Sequence, residues 1–168
     1  MISENIEKSL NSQIKLEAQA SMQYLSMASW AEINGYNGVA GFFYNQSEEE
    51  KTHMLKLIKF VNERGGVAEI PALEKPESEF ESLQELFTTF LTSEEKVTHN
   101  VNLIVFECLE VKDYTTHNFM QWYVAEQTEE EALARTILDK LRIIGDDKGG
   151  LYLFDRDIES LDVKTEEA

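Results

Sequence analysis

The sequence has little cysteine, little proline and no long apolar run. A single cysteine, Cys108, excludes an intrachain disulfide and any paired-cysteine zinc or redox site. No apolar run reaches the roughly 18 residues that a membrane-spanning helix needs, so no membrane is expected as a partner. The first 13 residues are polar and lack the apolar segment of a signal peptide, which favours a cytoplasmic protein.

Positive charge is also scarce, because 15 Lys and Arg residues stand against 32 Asp and Glu residues. The formal net charge of −17 argues against nucleic acid or an anionic membrane as a partner. Such acidity fits either a well-solvated exterior or a surface that attracts cations. The length of 168 residues predicts one domain, spanning 1–168, that is long enough to bury a core.

The two prolines, Pro71 and Pro76, both follow Gly65-Gly66 in one stretch without helical periodicity. Elsewhere apolar residues recur with the period of an α-helix. The pattern predicts four long helices at roughly 4–33, 38–64, 80–110 and 115–144, and a short fifth helix at about 150–162. Ser82 and Glu85 have the spacing of a capping box, which would start the third helix a few residues later.

The connections between these helices predict the fold class. Tight turns join the first two helices and the last two, which makes each pair antiparallel. The proline-containing stretch is long enough to cross the length of a bundle, so the sequence predicts an all-α four-helix bundle with one long crossover loop. The short C-terminal helix needs packing partners. It either folds back on its own bundle or packs at an oligomer interface.

Each long helix has an apolar seam at a spacing of seven residues, and one carboxylate interrupts each seam. His53 lies one turn beyond the carboxylate of the second helix. Counting residues from the shared turns places these groups at one depth in the bundle. The seam residues, helix by helix, are Leu10, Glu17, Tyr24 and Ala31; Phe43, Glu50 and Leu57; Phe87, Glu94, Val101 and Cys108; Tyr123, Glu130, Ile137 and Ile144.

Four buried carboxylates cannot all ionise unless a positive charge compensates them. No inward lysine or arginine occurs at this depth, so the pattern predicts one or two metal cations. Carboxylate oxygen with imidazole nitrogen is a ligand set suited to iron or manganese. Glu50 and His53 form an ExxH motif, and we expect a carboxylate-bridged dinuclear site.

Further candidates flank the seam, and the residues leave two interpretations of each open. Glu49, Glu126 and Glu129 fit either a third, weaker cation site or solvated acids. Tyr24 is either a donor of a hydrogen bond or an electron to the metals, or an ordinary core tyrosine. Trp122 is either a packing residue or a redox residue.

The motifs together resemble those of the bacterial non-haem ferritins. The matching residues are Glu17, Tyr24, Glu50-x-x-His53, Glu94, the stretch QWYVAEQTEE at 121–130 and GLYLFD at 150–155. The resemblance covers nearly the whole chain and implies a ferritin-like bundle that assembles with copies of itself into a 24-subunit cage. It also implies oxidation of Fe(II) by O2 or H2O2 and storage of the Fe(III) product as a mineral.

The resemblance also implies roles for individual residues. Glu17, Glu50 and His53 would hold a first iron, and Glu50, Glu94 and Glu130 a second, so that Glu50 bridges the two. Gln127 would lie near the oxidant, and Glu49, Glu126 and Glu129 would form a third iron site with Glu130.

Two neighbouring functions are less compatible with the sequence. Lys51 stands where a bacterioferritin has its haem-binding methionine, so no haem is expected. A di-iron oxidase or peroxidase that stores no metal is the alternative function, and the amphipathic fifth helix disfavours it.

Overall fold

The computed structural model describes residues 2–161 and has the predicted all-α architecture. Its helices are α1 (Glu4–Ile33), α2 (Asn37–Glu63), α3 (Leu83–Val111), α4 (Tyr114–Ile144) and α5 (Lys148–Asp157), followed by a 3₁₀ helix at Ile158–Leu161. Four long helices and a short fifth are thereby confirmed. Residue 162, the predicted end of the fifth helix, lies outside the described residues. No helix within residues 2–161 is long and apolar enough to span a membrane.

The third helix begins at Leu83, three residues after the approximate boundary at 80, which confirms the later start that the Ser82–Glu85 spacing predicted. Ser82 is the N-cap, and its hydroxyl oxygen accepts from the backbone N–H of Glu85 at 3.1 Å. The carboxylate of Glu85 in turn accepts from the backbone N–H of Glu81 at 2.6 Å. These reciprocal bonds satisfy N–H groups at the helix start, as in a capping box.

The fifth helix begins at Lys148, two residues earlier than predicted, because Asp147 caps it by accepting from the backbone N–H of Gly150 at 2.6 Å. The helix packs on its own bundle, where Phe154 is buried and its ring meets that of Phe87 edge-on. The fold-back alternative therefore describes this chain, while other apolar side chains of α5 remain at the surface.

The crossover, residues 64–82, runs along α1 and is attached to it by side-chain amides. Gln19 donates to the carbonyl of Glu74 at 3.1 Å and accepts from its N–H at 3.0 Å. Gln23 makes the same pair of bonds with Glu77, both at 3.0 Å. Because the 19-residue crossover spans the bundle while the other connections are short, the predicted topology is confirmed.

The apolar core has two parts with a polar layer between them. One part is rich in phenylalanine and contains Phe42, Phe43, Phe87 and Phe90. The other part is mostly aliphatic and contains Leu10, Ile14, Leu57, Val101 and Ile104. On every long helix a buried glutamate lies between residues of the two parts, so the layer crosses the whole bundle.

Candidate metal centre

The polar layer brings together one buried glutamate from each long helix. Glu17 of α1, Glu50 of α2, Glu94 of α3 and Glu130 of α4 are each at most 1% exposed. No lysine or arginine among residues 2–161 is buried with them. The layer therefore holds potential negative charge without a fixed cation to balance it.

Glu17, Glu50 and His53 form a first cation set, in which one ligand atom from each lies within 4.8 Å of the others. His53 Nδ1 lies 3.3 Å from Glu50 Oε2 and 3.8 Å from Glu17 Oε2. Glu50 and His53 share a face of α2 because residues three apart are neighbours on a helix. In the described part of the chain, no backbone N–H, side-chain amide or hydroxyl group donates to Glu17 Oε2 or to either Glu50 oxygen. These oxygens fit a bound cation.

Glu49, Glu126 and Glu130 form a second cation set, again with ligand atoms within 4.8 Å of one another. Glu130 is buried, whereas the other two are partly exposed. The structure brings Glu49 and Glu126 together, as the third-site prediction requires, but places Glu129 at the exposed surface outside the set. His53 Nε2 lies 3.7 Å from Glu126 Oε1, so the imidazole stands between the two sets.

Glu94 belongs to neither set, and protein donors engage both of its oxygens. The hydroxyl of Tyr24 donates to Oε1, and Gln127 Nε2 donates to Oε2 at 2.9 Å. Tyr24 and Gln127, the two candidate catalytic residues predicted from the sequence, thus both contact Glu94. Burial raises the pKa of Glu94 to about 7, although the two hydrogen bonds partly oppose this shift.

Burial also raises the pKa of Glu17 and Glu50 well above the ordinary value for a glutamate. Repulsion from Glu50 adds to the shift at Glu17, and repulsion from Glu94 and Glu130 adds to it at Glu50. Without a cation, the layer therefore retains protons at a pH where exposed glutamates have lost theirs. A divalent cation bound there would replace these protons as the compensating charge.

A pocket of about 350 Å³ opens onto His53 between α2 and α4. Trp122 lines it, and its ring stands edge-on to the imidazole of His53 with the centroids 5.1 Å apart. Lys56 Nζ lies 3.5 Å from the centroid of the Trp122 ring, a cation–π contact that fixes the indole at the pocket. His53 of the first set lines the pocket, and so do Glu49 and Glu126 of the second.

Sequence reasoning missed three polar groups next to the layer. Gln13 is fully buried and bonds to Glu17, Asn100 bonds to Gln13, and Gln46 is fully buried beside Glu50 on α2. The signal that could have found two of them is helical spacing, because Gln13 and Gln46 each precede a seam glutamate by four residues.

Comparisons with known proteins agree with this architecture. A family model described as a ferritin-like domain matches residues 7–144. A probable bacterial non-heme ferritin-like protein of Haemophilus influenzae is 44% identical over 164 residues, which are 98% of this chain and 99% of that protein. A bacterial non-heme ferritin of Campylobacter jejuni is 42% identical over 96% of both chains. An open-pore ferritin of Archaeoglobus fulgidus has a TM-score of 0.93 and 39% identity over 98% of this chain and all of that one.

Proposed function

The chain belongs to the ferritin family and stores iron, and we propose that it does so by oxidising Fe(II) to Fe(III) in the carboxylate layer of each subunit. The supporting observation is the first cation set, in which two buried carboxylates and an imidazole converge while three carboxylate oxygens meet no backbone, amide or hydroxyl donor. Hard anionic oxygen ligands stabilise Fe(III) over Fe(II), so such a set favours oxidation of the bound ion.

The reaction involves two Fe(II) ions in each subunit, held by the predicted ligands Glu17, Glu50, His53, Glu94 and Glu130. Each ion gives up one electron. Dioxygen takes both electrons and, with two protons, leaves as hydrogen peroxide; peroxide as the acceptor instead yields water. Binding of the cations displaces the protons that burial retains on Glu17 and Glu50, so charge compensation accompanies loading.

The second cation set would hold a third iron next to this pair. Glu126 and Glu49 line the open pocket, whereas Glu130 faces the layer, so the set links the surface to the buried pair. Mineral formation takes place in the assembled protein. In this proposal 24 copies form a cage in the cytoplasm, and the ferric product collects inside it as mineral.

The test is Glu50→Ala with anaerobic Fe(II) titration followed by exposure to oxygen. Removing even an outer partner of a metal ligand commonly costs about 10- to 100-fold in affinity or activity, so loss of a shared ligand should slow oxidation by at least that much. Helical circular dichroism should be retained, because the variant removes a buried carboxyl group that meets no backbone, amide or hydroxyl donor.

Glu63→Ala is the control, since Glu63 is an exposed glutamate at the end of the same helix and does not line the pocket at His53. Oxidation by Glu50→Ala at the wild-type rate would contradict the proposed site. Storage is measured separately, by the iron that stays in solution with the protein after successive additions. If loading stops at two or three ions per subunit, the chain is an oxidase that does not store iron.

A further inference from the structure

Gln46 is a fully buried amide in the middle of α2. Neither its Nε2 nor its Oε1 has a hydrogen-bond partner within residues 2–161. Burying an amide without a partner is costly, because water would satisfy the same atoms in the unfolded chain. Buried polar atoms in folded proteins nearly always have a partner, so a group outside the polypeptide is expected to complete this amide.

The position of Gln46 indicates what completes it. Gln46 and Glu50 are four residues apart on α2, so their side chains are neighbours on one face of the helix. Phe42 and Phe43 precede it and belong to the phenylalanine-rich part of the core. Gln46 thus lies where that apolar part meets the carboxylate layer, on the opposite side of Glu50 from His53.

The other atoms without a partner at this level are explained by a cation. Glu17 Oε2, the two Glu50 oxygens and His53 Nδ1 can each coordinate one. The amide nitrogen of Gln46 cannot, because it is a donor and has no lone pair available for a metal. Its partner is therefore a hydrogen-bond acceptor, and an oxygen ligand of the neighbouring cations would supply one.

We propose, on the basis of the iron site described above, that Gln46 donates a hydrogen bond to the small exogenous ligand that completes the coordination of the cation pair. Such a ligand is water or the oxidant, and both offer an oxygen acceptor. Gln46 would thus place this ligand against the phenylalanine-rich end of the layer. Tyr24 is at the same end, because its ring packs on Phe43 and Phe90, but its hydroxyl is already bonded to Glu94.

The experiment compares Gln46→Met with the wild type and with Gln84→Met, which makes the same replacement at an exposed position of α3. Methionine keeps the length of the side chain and removes its donor and acceptor. Co(II) is loaded anaerobically, and azide, a small ligand that accepts hydrogen bonds, is titrated against the visible spectrum of the bound Co(II). Thermal melting of the metal-free protein is measured in parallel.

We expect azide to bind Gln46→Met about 3- to 10-fold more weakly, the loss typical of one hydrogen bond, while Co(II) itself binds as before. The metal-free variant should melt at a higher temperature than the wild type, because it no longer buries an unsatisfied amide. Gln84→Met should change neither quantity.

Unchanged azide affinity in Gln46→Met would overturn the proposal. A lower melting temperature of the metal-free variant would also overturn it, because the amide would then have a structural partner that is present without metal. Failure of the wild type to bind Co(II) in the layer would overturn the iron site itself, so the two failures are distinguishable.

Discussion

At the scale of single residues, Gln13 leaves Glu17 with one carboxylate oxygen available to a cation. Gln13 Nε2 donates to Glu17 Oε1 at 2.6 Å, and Gln13 Oε1 accepts from Asn100 Nδ2 at 2.7 Å. One carboxylate oxygen is thereby occupied, and the other, Oε2, is directed toward His53. The chain Asn100–Gln13–Glu17 fixes this orientation before any cation arrives.

Gln13→Leu should therefore weaken cation binding to the first set by about 10- to 100-fold, the usual effect of losing a partner that orients a ligand. The free energy of unfolding of the metal-free protein should fall by about 1–3 kcal/mol, because Glu17 Oε1 loses its donor. Anaerobic Co(II) titration measures the first effect and urea unfolding the second.

Asn100→Ala removes only the bond between Asn100 and Gln13. It leaves Gln13 bonded to Glu17 and should therefore cost less cation affinity than Gln13→Leu. If Gln13→Leu binds Co(II) as tightly as the wild type, the orientation of Glu17 does not depend on Gln13.

The sequence identifies residues of this layer to different degrees. The four glutamates are easily identified because each is a charged residue on an otherwise apolar helix face. Gln13 and Gln46 are less conspicuous, since a neutral amide is tolerated on many helix faces. The bond from Asn100 depends on how α3 is placed against α1, which spacing along one helix does not specify. The exposed position of Glu129 depends on the rotation of α4 in the same way.

At the scale of helices, α5 provides the cap that α2 does not carry itself. Tyr36, at the N-cap position of α2, makes no side-chain capping bond. Instead the carboxylate of Asp155 in α5 accepts from the backbone N–H of Val39 at 2.9 Å. An acid at a helix N-terminus satisfies a free N–H and interacts favourably with the helix dipole. This contact joins the short helix to the bundle.

The contact requires glycine at position 38, because a Cβ there would overlap the backbone oxygen of Asp155. Gly38→Ala should displace α5 and lower the free energy of unfolding by about 1–3 kcal/mol, as overpacking typically does. Urea unfolding of the metal-free protein measures this, and size-exclusion chromatography shows whether the displaced helix affects assembly.

Gly41→Ala is the matched control on the same helix. A Cβ at Gly41 meets only the carboxylate of Glu159, the mobile end of a long side chain, so this variant should be neutral or more stable by up to about 1 kcal/mol. Equal stabilities of the two variants would contradict the role of Gly38.

Periodicity and turn residues sufficed to predict the helices, but not their docking. The start of α3 at Leu83 follows from a local cap that the Ser82–Glu85 spacing already indicated. The attachment of the crossover through Gln19 and Gln23, and of α5 through Asp155, involves residues more than 50 positions apart in the chain. Nothing in the local sequence of those residues distinguishes them from other exposed polar side chains.

At the scale of the whole molecule, the metal-free protein binds protons as it folds. The ordinary pKa of glutamate is 4.5, and folding raises that of Glu94 to about 7 and those of Glu17 and Glu50 well above their ordinary value. At a pH between the ordinary and the raised pKa values, the folded state holds protons that the unfolded state has released. Stability therefore falls as pH rises through this window, opposite to the behaviour of an acid in an ion pair.

We expect the free energy of unfolding of the metal-free protein to decrease between about pH 5 and pH 8, with a contribution from Glu94 on the order of 1–3 kcal/mol. Urea unfolding at fixed protein concentration and high salt measures it, because salt screens repulsion among the acidic groups of the surface. A saturating divalent cation should flatten the dependence by replacing the protons.

Glu94→Gln removes one of the titrating groups and should make the pH dependence shallower, whatever it does to stability at a single pH. Glu48→Gln, at an exposed position, should leave the slope unchanged. If the metal-free wild type instead became more stable over this range, the layer would be ionised without a cation, and the charge balance that links its four glutamates to metal binding would fail.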